Sequence, residues 1–498
     1  MVRIGFEIVA VLIIAAMSVL AFVLAIVFNQ LGIAVVVVFV GTYALISSEK
    51  LNRTGMSLLG MAIIGAVFWA SHLILGNDQP LVFLDLVHNI EWDTVLFVTS
   101  MMIIVAVAGG SGMFQYLALT LARPSGGVHK SLYTIFLLFV FFISLFLDNV
   151  STTLVMAPLT IQVCRALEID FKPFLVSEAI VCNIGSIPSI VGAVPNIVIA
   201  EATELDAGLL FITFMPLSFL LLLVTWFLLG RHYSSSFGET DFDRVDFLFD
   251  IDPSMMIKSR TDFWASAIAF GFLVTGFALG PSLSIKPVMV ALLVAAALLI
   301  LAHDRAVEFL AEVGWDTVFF LVGLFGLVGA LSLTGLISAL GDVLGGIIGD
   351  NSLLAIVFMI WVPATLSAFL DNLPVSAVLA PIALQLAPVS SILPLTLVFA
   401  VGVGGNVFTP LGSPSNMVAI GFSEREHDPI SYKDFAIAGT IAGMAHLIIG
   451  TIYLLLVEFI DLAIITIGGI VLSIIGFVFI LLPYIRVNQY MADGSRGN

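Results

Sequence analysis

Two aspartates pose the first chemical question. Asp148 lies in the stretch FLDN at 146–149, and Asp371 lies in the same four residues at 369–372. Each sits inside an apolar run, 131–166 and 354–387. A carboxylate at membrane depth is costly and by default marks an ion path or a proton relay. Asp is also a good helix N-cap. The two roles are compatible, because a cap sets a helix N-terminus at the tip, where it favours an anion or polar ligand.

A second pattern is a pair of interrupted helices. Residues 182–196 read CNIGSIPSIVGAVPN within the run 173–201, and 404–416 read GGNVFTPLGSPSN within the run 392–421. Gly and Pro at this density unwind a helix and free its carbonyls. Those carbonyls, with the side-chain oxygens of Asn183, Ser186, Ser189 and Asn196 and of Asn406, Thr409, Ser413 and Asn416, suit a hard cation such as Na⁺. Glu178 stands about one turn before the first break and is a candidate proton carrier. Asp93 and Asp316 follow Trp92 and Trp315 at span starts, where an interface belt and a helix cap account for them. Cys182 reads as a small buried core residue. His72 and His446 stand alone.

The elements that hold these residues follow from composition. Of 498 residues, 60% are hydrophobic, and the charged ones number 17 plus 34, or 51, about 10%. Soluble domains carry roughly 25%. With a mean hydropathy of +1.18, the chain must use lipid as its main solvent. That excludes a soluble enzyme and a disordered protein, and a net charge of −17 excludes a nucleic-acid partner. The continuous runs, most near 20 residues, predict spanning helices and not barrel strands. The first run, 5–28, reads as a span and not as a cleaved signal. No phosphate loop, zinc-protease motif or nucleophile elbow is present, so neither a nucleotide motor nor an enzyme is expected.

The polar stretch 231–261 divides the chain, and its two halves are related. EWDTV at 91–95 and GWDTV at 314–318 are 223 residues apart, as are the two FLDN segments, Pro158 and Pro381, Gln162 and Gln385, and Asn183 and Asn406. After a three-residue deletion, Gly192 aligns with Gly412 and Asn196 with Asn416. Loops near the first FLDN carry Arg123, Lys130, Arg165 and Lys172, whereas their counterparts at 346–353 and 388–395 carry no Lys or Arg. By the positive-inside rule the corresponding loops face opposite sides, which predicts an inverted repeat. Both termini come out cytoplasmic, with Lys286 the exception. The short tips predict re-entrant hairpins, since irregular backbone is tolerated where it lines a cavity. The expected parts are an extra N-terminal span at 1–31, repeats at 32–230 and 262–458, a cytoplasmic acidic linker at 231–261, and an extra C-terminal span and tail at 459–498.

These motifs resemble a known group. FLDNVSTTLVMAPLTIQVCRALEID with CNIGSIPSIVGAVPNIVIA, and AFLDNLPVSAVLAPIALQL with GGNVFTPLGSPSNMVAIG, resemble the arsenite permeases and NhaD-type sodium/proton antiporters. That group includes the melanosomal P protein and belongs to the ion transporter superfamily with its citrate-transporter-like domain. The resemblance covers about residues 32–458. It implies an all-α polytopic membrane protein with elevator-type scaffold and transport domains, assembled as a homodimer in the plasma membrane. It also implies a site of Asp148, Asn149, Ser151, Thr152, Asp371 and Asn372 at the tips. At the breaks it implies Asn183, Gly185, Gly192, Pro195, Asn196, Asn406, Thr409, Gly412, Ser413 and Asn416. Where the group often reads G-G-x-A-T-x-x-G-D-P-P-N, this chain has Ser186, Pro188, Ser189, Ala193 and Val194. The expectation is a proton- or sodium-coupled secondary transporter for a small inorganic ion such as arsenite or antimonite, or a Na⁺/H⁺ exchanger. No cofactor is expected beyond Na⁺ or H⁺ as the coupling ion. The alternatives are a sodium-coupled transporter of citrate or a dicarboxylate, or a channel on the same scaffold. Some relatives work with a partner ATPase.

Overall fold

The computed structural model describes residues 2–46, 51–75, 81–122, 125, 128–237, 252–280, 283, 285–460 and the isolated positions 463–464, 467–469, 471 and 476. Those residues form helices and turns, with no strand among them. The first half runs α1 (Val2–Ile26), α2 (Leu31–Ile46), α3 (Arg53–Leu75), α4 (Phe83–His88), α5 (Trp92–Gly110), α6 (Met113–Ala122), α7 (His129–Ile143), α8 (Asn149–Ala166), α9 (Lys172–Gly185), α10 (Val194–Thr203) and α11 (Ala207–His232). The second runs α12 (Arg260–Leu279), α13 (Pro287–Leu301), α14 (Ala306–Ala311), α15 (Trp315–Leu333), α16 (Leu336–Ile348), α17 (Ser352–Phe369), α18 (Asn372–Gln385), α19 (Leu393–Gly404), α20 (Pro414–Arg425) and α21 (Tyr432–Phe459). Among the described residues six helices are long and apolar enough to cross a membrane, or seven if the pair 287–301 and 303–311, bent by 98°, counts as one. Residues 238–251 of the linker and most of the expected C-terminal span lie outside the described residues.

The helix order occurs twice. Phe83 and Ala306, Trp92 and Trp315, Met113 and Leu336, His129 and Ser352, and Asn149 and Asn372 each start a helix, and each pair differs by 223. Beyond the breaks the offset changes: Val194 and Pro414 differ by 220, and Ala207 and Tyr432 by 225. Length changes therefore fall around the breaks and in the loops beyond them.

The apolar stretches 92–122 and 315–345 are each divided into two helices. The chain turns at Gly112 (φ +85°) and Gly335 (φ +73°), again 223 apart. Both are left-handed, a conformation that glycine adopts without a Cβ penalty. At Gly112 the backbone also meets another segment. The Ser111 carbonyl accepts from Lys258 N at 2.9 Å, and the Met256 carbonyl occupies the space a Gly112 Cβ would fill.

The chain forms two compact units. One comprises residues 1–99 and 314–349, the other 100–313 and 350–498. In the first, α3 and α15 lie side by side, because Gly323 and Gly326 leave room for Ser57 and Met61; a Cβ at either glycine would come within 2.5 Å of those side chains. Arg53 clamps the start of α15, with Nη2 3.5 Å from Asp316 and 3.2 Å from Thr317 Oγ1. Asp316 is thus an ion-pair partner at a span start.

The second unit holds both tips and both breaks. Helix α7 turns at 144–148 into α8, and α17 turns at Leu370–Asp371 into α18. Helix α9 unwinds over 186–193 before α10, and α19 unwinds over 405–413 before α20, with a short 3₁₀ turn at Pro410–Gly412. The halves pack crosswise: α10 lies on α18, and α20 lies on α8. Two ion pairs link the loop after α8 to the loop after α20. They are Arg165 to Glu426 (2.5 Å) and Lys172 to Asp428 (2.7 Å). Lys286, the exception to the charge pattern, pairs with Glu201 at the far end of α10 (3.0 Å).

Candidate functional site

The tips come first. Asp148 is the N-cap of α8: its Oδ1 accepts from Val150 N (3.0 Å) and Ser151 N (3.1 Å), and its Oδ2 accepts from Ser151 Oγ. The cap satisfies amides that an α-helix leaves without partners in its first turn. Asp371 caps α18 in the same way, accepting from Leu373 N at 3.0 Å. Thr152 donates to the Leu147 carbonyl at 3.4 Å. Asp148, Ser151 and Thr152 are therefore held within the first turn of their own helix.

The next residue on each tip differs between the halves. Asn149 is buried and its amide meets that of Asn183 at 2.8 Å. Turned over, its nitrogen reaches Ser186 Oγ at 3.1 Å and the carbonyls of Gly192 and Cys182 at 3.3 Å, with its oxygen toward Asn183. Either way the first tip rests on the first break. Asn372 is only 4% exposed, yet its amide forms no side-chain hydrogen bond among the described residues. Buried polar groups are nearly always partnered, so this amide is available to a ligand.

The breaks converge on Asn183. Its Nδ2 donates to Asn406 Oδ1 (2.7 Å) and Asn416 Oδ1 (3.2 Å), and its Oδ1 accepts from Ser413 Oγ (2.9 Å) and Ser415 Oγ (3.3 Å). All these side chains are fully buried. Asn416 also donates to the Gly405 carbonyl at 2.8 Å, closing the second break on itself. Asn196 does the same for the first break, donating to the carbonyls of Ser186 (3.0 Å) and Ser189 (2.9 Å). The freed carbonyls of both breaks are thus partly satisfied by an Asn one loop downstream.

Glycines bring each break against its own hairpin. A Cβ on Gly192 would sit 2.6 Å from the Ser144 carbonyl oxygen, and one on Gly412 would strike the Ser367 carbonyl oxygen. Ser144 and Ser367 are themselves 223 apart. Gly185 lies against Phe141 and Ser144. Thr409 donates to the Ala368 carbonyl at 2.5 Å and accepts from Leu411 N, which pins the second break to the end of α17. Pro195 sits buried in the first turn of α10, where its missing N–H costs nothing.

The expected residues thus sort by contact. Asn149, Asn183, Asn406, Ser413 and Asn416 form one cluster, and Ser186, Ser189, Gly192 and Asn196 shape the loop beside it. Asp148, Ser151 and Thr152 serve their own helix, and Asp371 caps its own. Sequence reasoning missed Ser415, although it stands between Pro414 and Asn416 in a stretch already singled out. It also missed Ser144 and Ser367, whose role is a backbone oxygen. Glu178 lies apart from the cluster; its Oε1 accepts from Thr160 Oγ1 at 2.7 Å. Cys182 is fully buried and directs its thiol at the Asn149 carbonyl (3.5 Å).

Comparison with known proteins bears on this arrangement. The profile described as citrate transporter matches residues 43–404. An uncharacterized transporter of Mycobacterium tuberculosis is 31% identical over 442 residues, covering 86% of this chain and 99% of its own. The human P protein is 28% identical over 505 residues, covering 84% of this chain and 59% of its own. Among solved structures, the YdaH transporter of Alcanivorax borkumensis matches with a TM-score of 0.53 and 15% identity, over 82% of this chain and 97% of that one. The last likeness concerns the fold alone.

Proposed function

The chain belongs to the citrate transporter family, and from that premise we propose a secondary active transporter coupled to protons or sodium, with its site between the two tips and the two breaks. The observation that carries this reading is the uncharged polar cluster around Asn183, which joins the first tip and both breaks within a lipid-solvated chain. Polar residues at that depth are costly, pair with one another and mark substrate or ion pathways by default.

The substrate class follows from charge. Among the described residues no Lys or Arg is buried, whereas Asp148 is. A multiply charged anion would meet carboxylates and no cation. The site therefore favours Na⁺, or a neutral species such as arsenous acid exchanged for protons. The family description supports a second reading, citrate entering together with bound cations or protons that cancel its charge.

The wider mechanism is proposed on the same grounds. The unit with both tips and both breaks would be the moving transport domain of an elevator, and the unit of 1–99 and 314–349 its scaffold in a homodimer. The two halves would be inverted repeats with re-entrant hairpins, in a plasma-membrane protein with both termini cytoplasmic. The ion pairs of Arg165 and Lys172 with Glu426 and Asp428 support a shared cytoplasmic side for those loops. The pairing of Lys286 with Glu201 supports the opposite side for Lys286. A partner ATPase would convert the carrier to an export pump.

Proteoliposomes given Na⁺, arsenite or citrate under imposed pH and Na⁺ gradients test the proposal. Uphill accumulation of one of them is expected. Flux that only ever runs downhill would overturn the coupled carrier, and single-channel conductance would then identify a channel on the same scaffold.

A further inference from the structure

Glu178 is a carboxylate that neither the tips nor the breaks use. It is 4% exposed and makes one side-chain hydrogen bond, from Thr160 on the neighbouring α8. It forms no ion pair among the described residues. Its second oxygen, Oε2, is left without a protein donor. Removing a charge from water costs several kcal/mol even after relaxation, unless a partner compensates. A buried carboxyl with a hydroxyl and no cation is therefore an arrangement in which charge is a transient state.

The repeat gives an independent observation. On the offset of 223, Glu178 corresponds to Val401 and Thr160 to Ala383, both fully buried. The second half builds the same pair of helices with apolar residues at these positions. The fold does not require a carboxyl there, so the acid and its hydroxyl partner belong to one half only. The surroundings are equally specific. The titratable groups that feel a charge on Glu178 are Tyr133 on α7, Cys164 on α8 and Cys182 on α9. Helices α11, α19, α20 and α21 also pack on α9, and α21 carries the buried imidazole of His446, which bonds Thr225 Oγ1 at 2.9 Å. Tyr133 is itself engaged, donating to Ser177 at 2.8 Å.

Position links this group to the cluster. Helix α9 carries Glu178 and, five residues on, Asn183; helix α8 carries Thr160 and, at its first turn, Asn149. A change of charge between Thr160 and Glu178 thus acts on the two helices whose ends meet at Asn149 and Asn183.

We propose that Glu178 carries the coupling proton at Oε2 while Thr160 holds Oε1, in addition to the tip aspartates and on the side of the first repeat alone. In the step, the Oε2–H bond breaks and the proton passes to water on the side then open. The electron pair stays on the carboxylate. When the site opens to the other side, the carboxylate takes a proton from water there. Nothing is oxidised or reduced. The inference rests on the reading of the chain as a coupled transporter.

The test is proton flux in proteoliposomes loaded with a pH-sensitive dye, with Na⁺, arsenite or citrate added outside. Wild-type protein should move protons in response to at least one of the three. Glu178→Gln should lose that proton flux. Glu178→Asp should restore it with a displaced pH midpoint, which guards against a variant that merely misfolds. Thr160→Val, a positioning change, should shift the pH midpoint and leave substrate half-saturation unchanged. Proton flux in Glu178→Gln equal to wild type overturns the assignment. Wild-type accumulation of a probe with no proton movement overturns it too, while leaving transport intact. No accumulation of any probe sinks the transport reading itself.

Discussion

Asp148 is both an N-cap and a membrane-buried acid, and a single substitution separates the roles. Asn is about as good an N-cap as Asp, whereas Ala in that place costs about 1 kcal/mol. Asp148→Asn and Asp371→Asn should therefore melt with the wild type in detergent and lose ion-coupled uptake in proteoliposomes; Asp148→Ala should melt lower. Unchanged uptake in both Asn variants would reduce the two acids to caps. The Asn183 cluster responds differently, because it is a network. Asn183→Leu would leave Asn406, Ser413, Ser415 and Asn416 with unmade hydrogen bonds, each costing about 1–3 kcal/mol when buried. A large fall in melting temperature together with loss of uptake is the expected result. Sequence alone exposed Asp148, Asn149 and Asn183, since polar residues stand out in an apolar run. It did not expose Thr160, an ordinary hydroxyl in an apolar helix, which reaches its partner across 18 residues of chain.

At the scale of elements, the two left-handed glycines give an internal comparison. A Cβ at Gly335 meets nothing within 4 Å, so Gly335→Ala carries only the conformational cost of a left-handed residue, about 1 kcal/mol. A Cβ at Gly112 would also collide with the Met256 carbonyl. Gly112→Ala should therefore lower the melting temperature more than Gly335→Ala, and it should expose 252–259 to protease. Equal effects would show that the contact with Met256 adds nothing. The sequence could not reveal these turns, because a glycine inside an apolar run reads the same whether its φ is negative or positive. The unwound segments were visible for the opposite reason: four prolines and several glycines within two short windows leave a helix no way to continue.

At the scale of the molecule, the sidedness of the loops is open to direct labelling. Cys164 and Cys182 are both buried, so an introduced thiol reports with little background. Ala166→Cys after the first tip helix and Gly208→Cys at the start of α11 are both at exposed positions. A membrane-impermeant maleimide applied to right-side-out vesicles should label Gly208→Cys and not Ala166→Cys. Labelling of both from one side would refute the topology drawn from the positive residues. That topology rests on the charge pattern, which is sharp because Lys and Arg number only 17 in this chain. The crosswise packing was not legible, since α10 against α18 and α20 against α8 are contacts between segments nearly two hundred residues or more apart.

That crosswise packing has a consequence for how the polypeptide is assembled. Asn183 belongs to the first half and four of its hydrogen-bond partners belong to the second. The halves are joined by this seam as well as by the peptide that runs between them. A gene cut at codon 245 and expressed as two open reading frames should therefore yield fragments that purify together from the membrane through a tag on either one. Asn183→Leu in the first fragment should weaken their co-purification. Seen this way, the seam makes each half a binding partner of the other, and the linker only raises the concentration at which they meet.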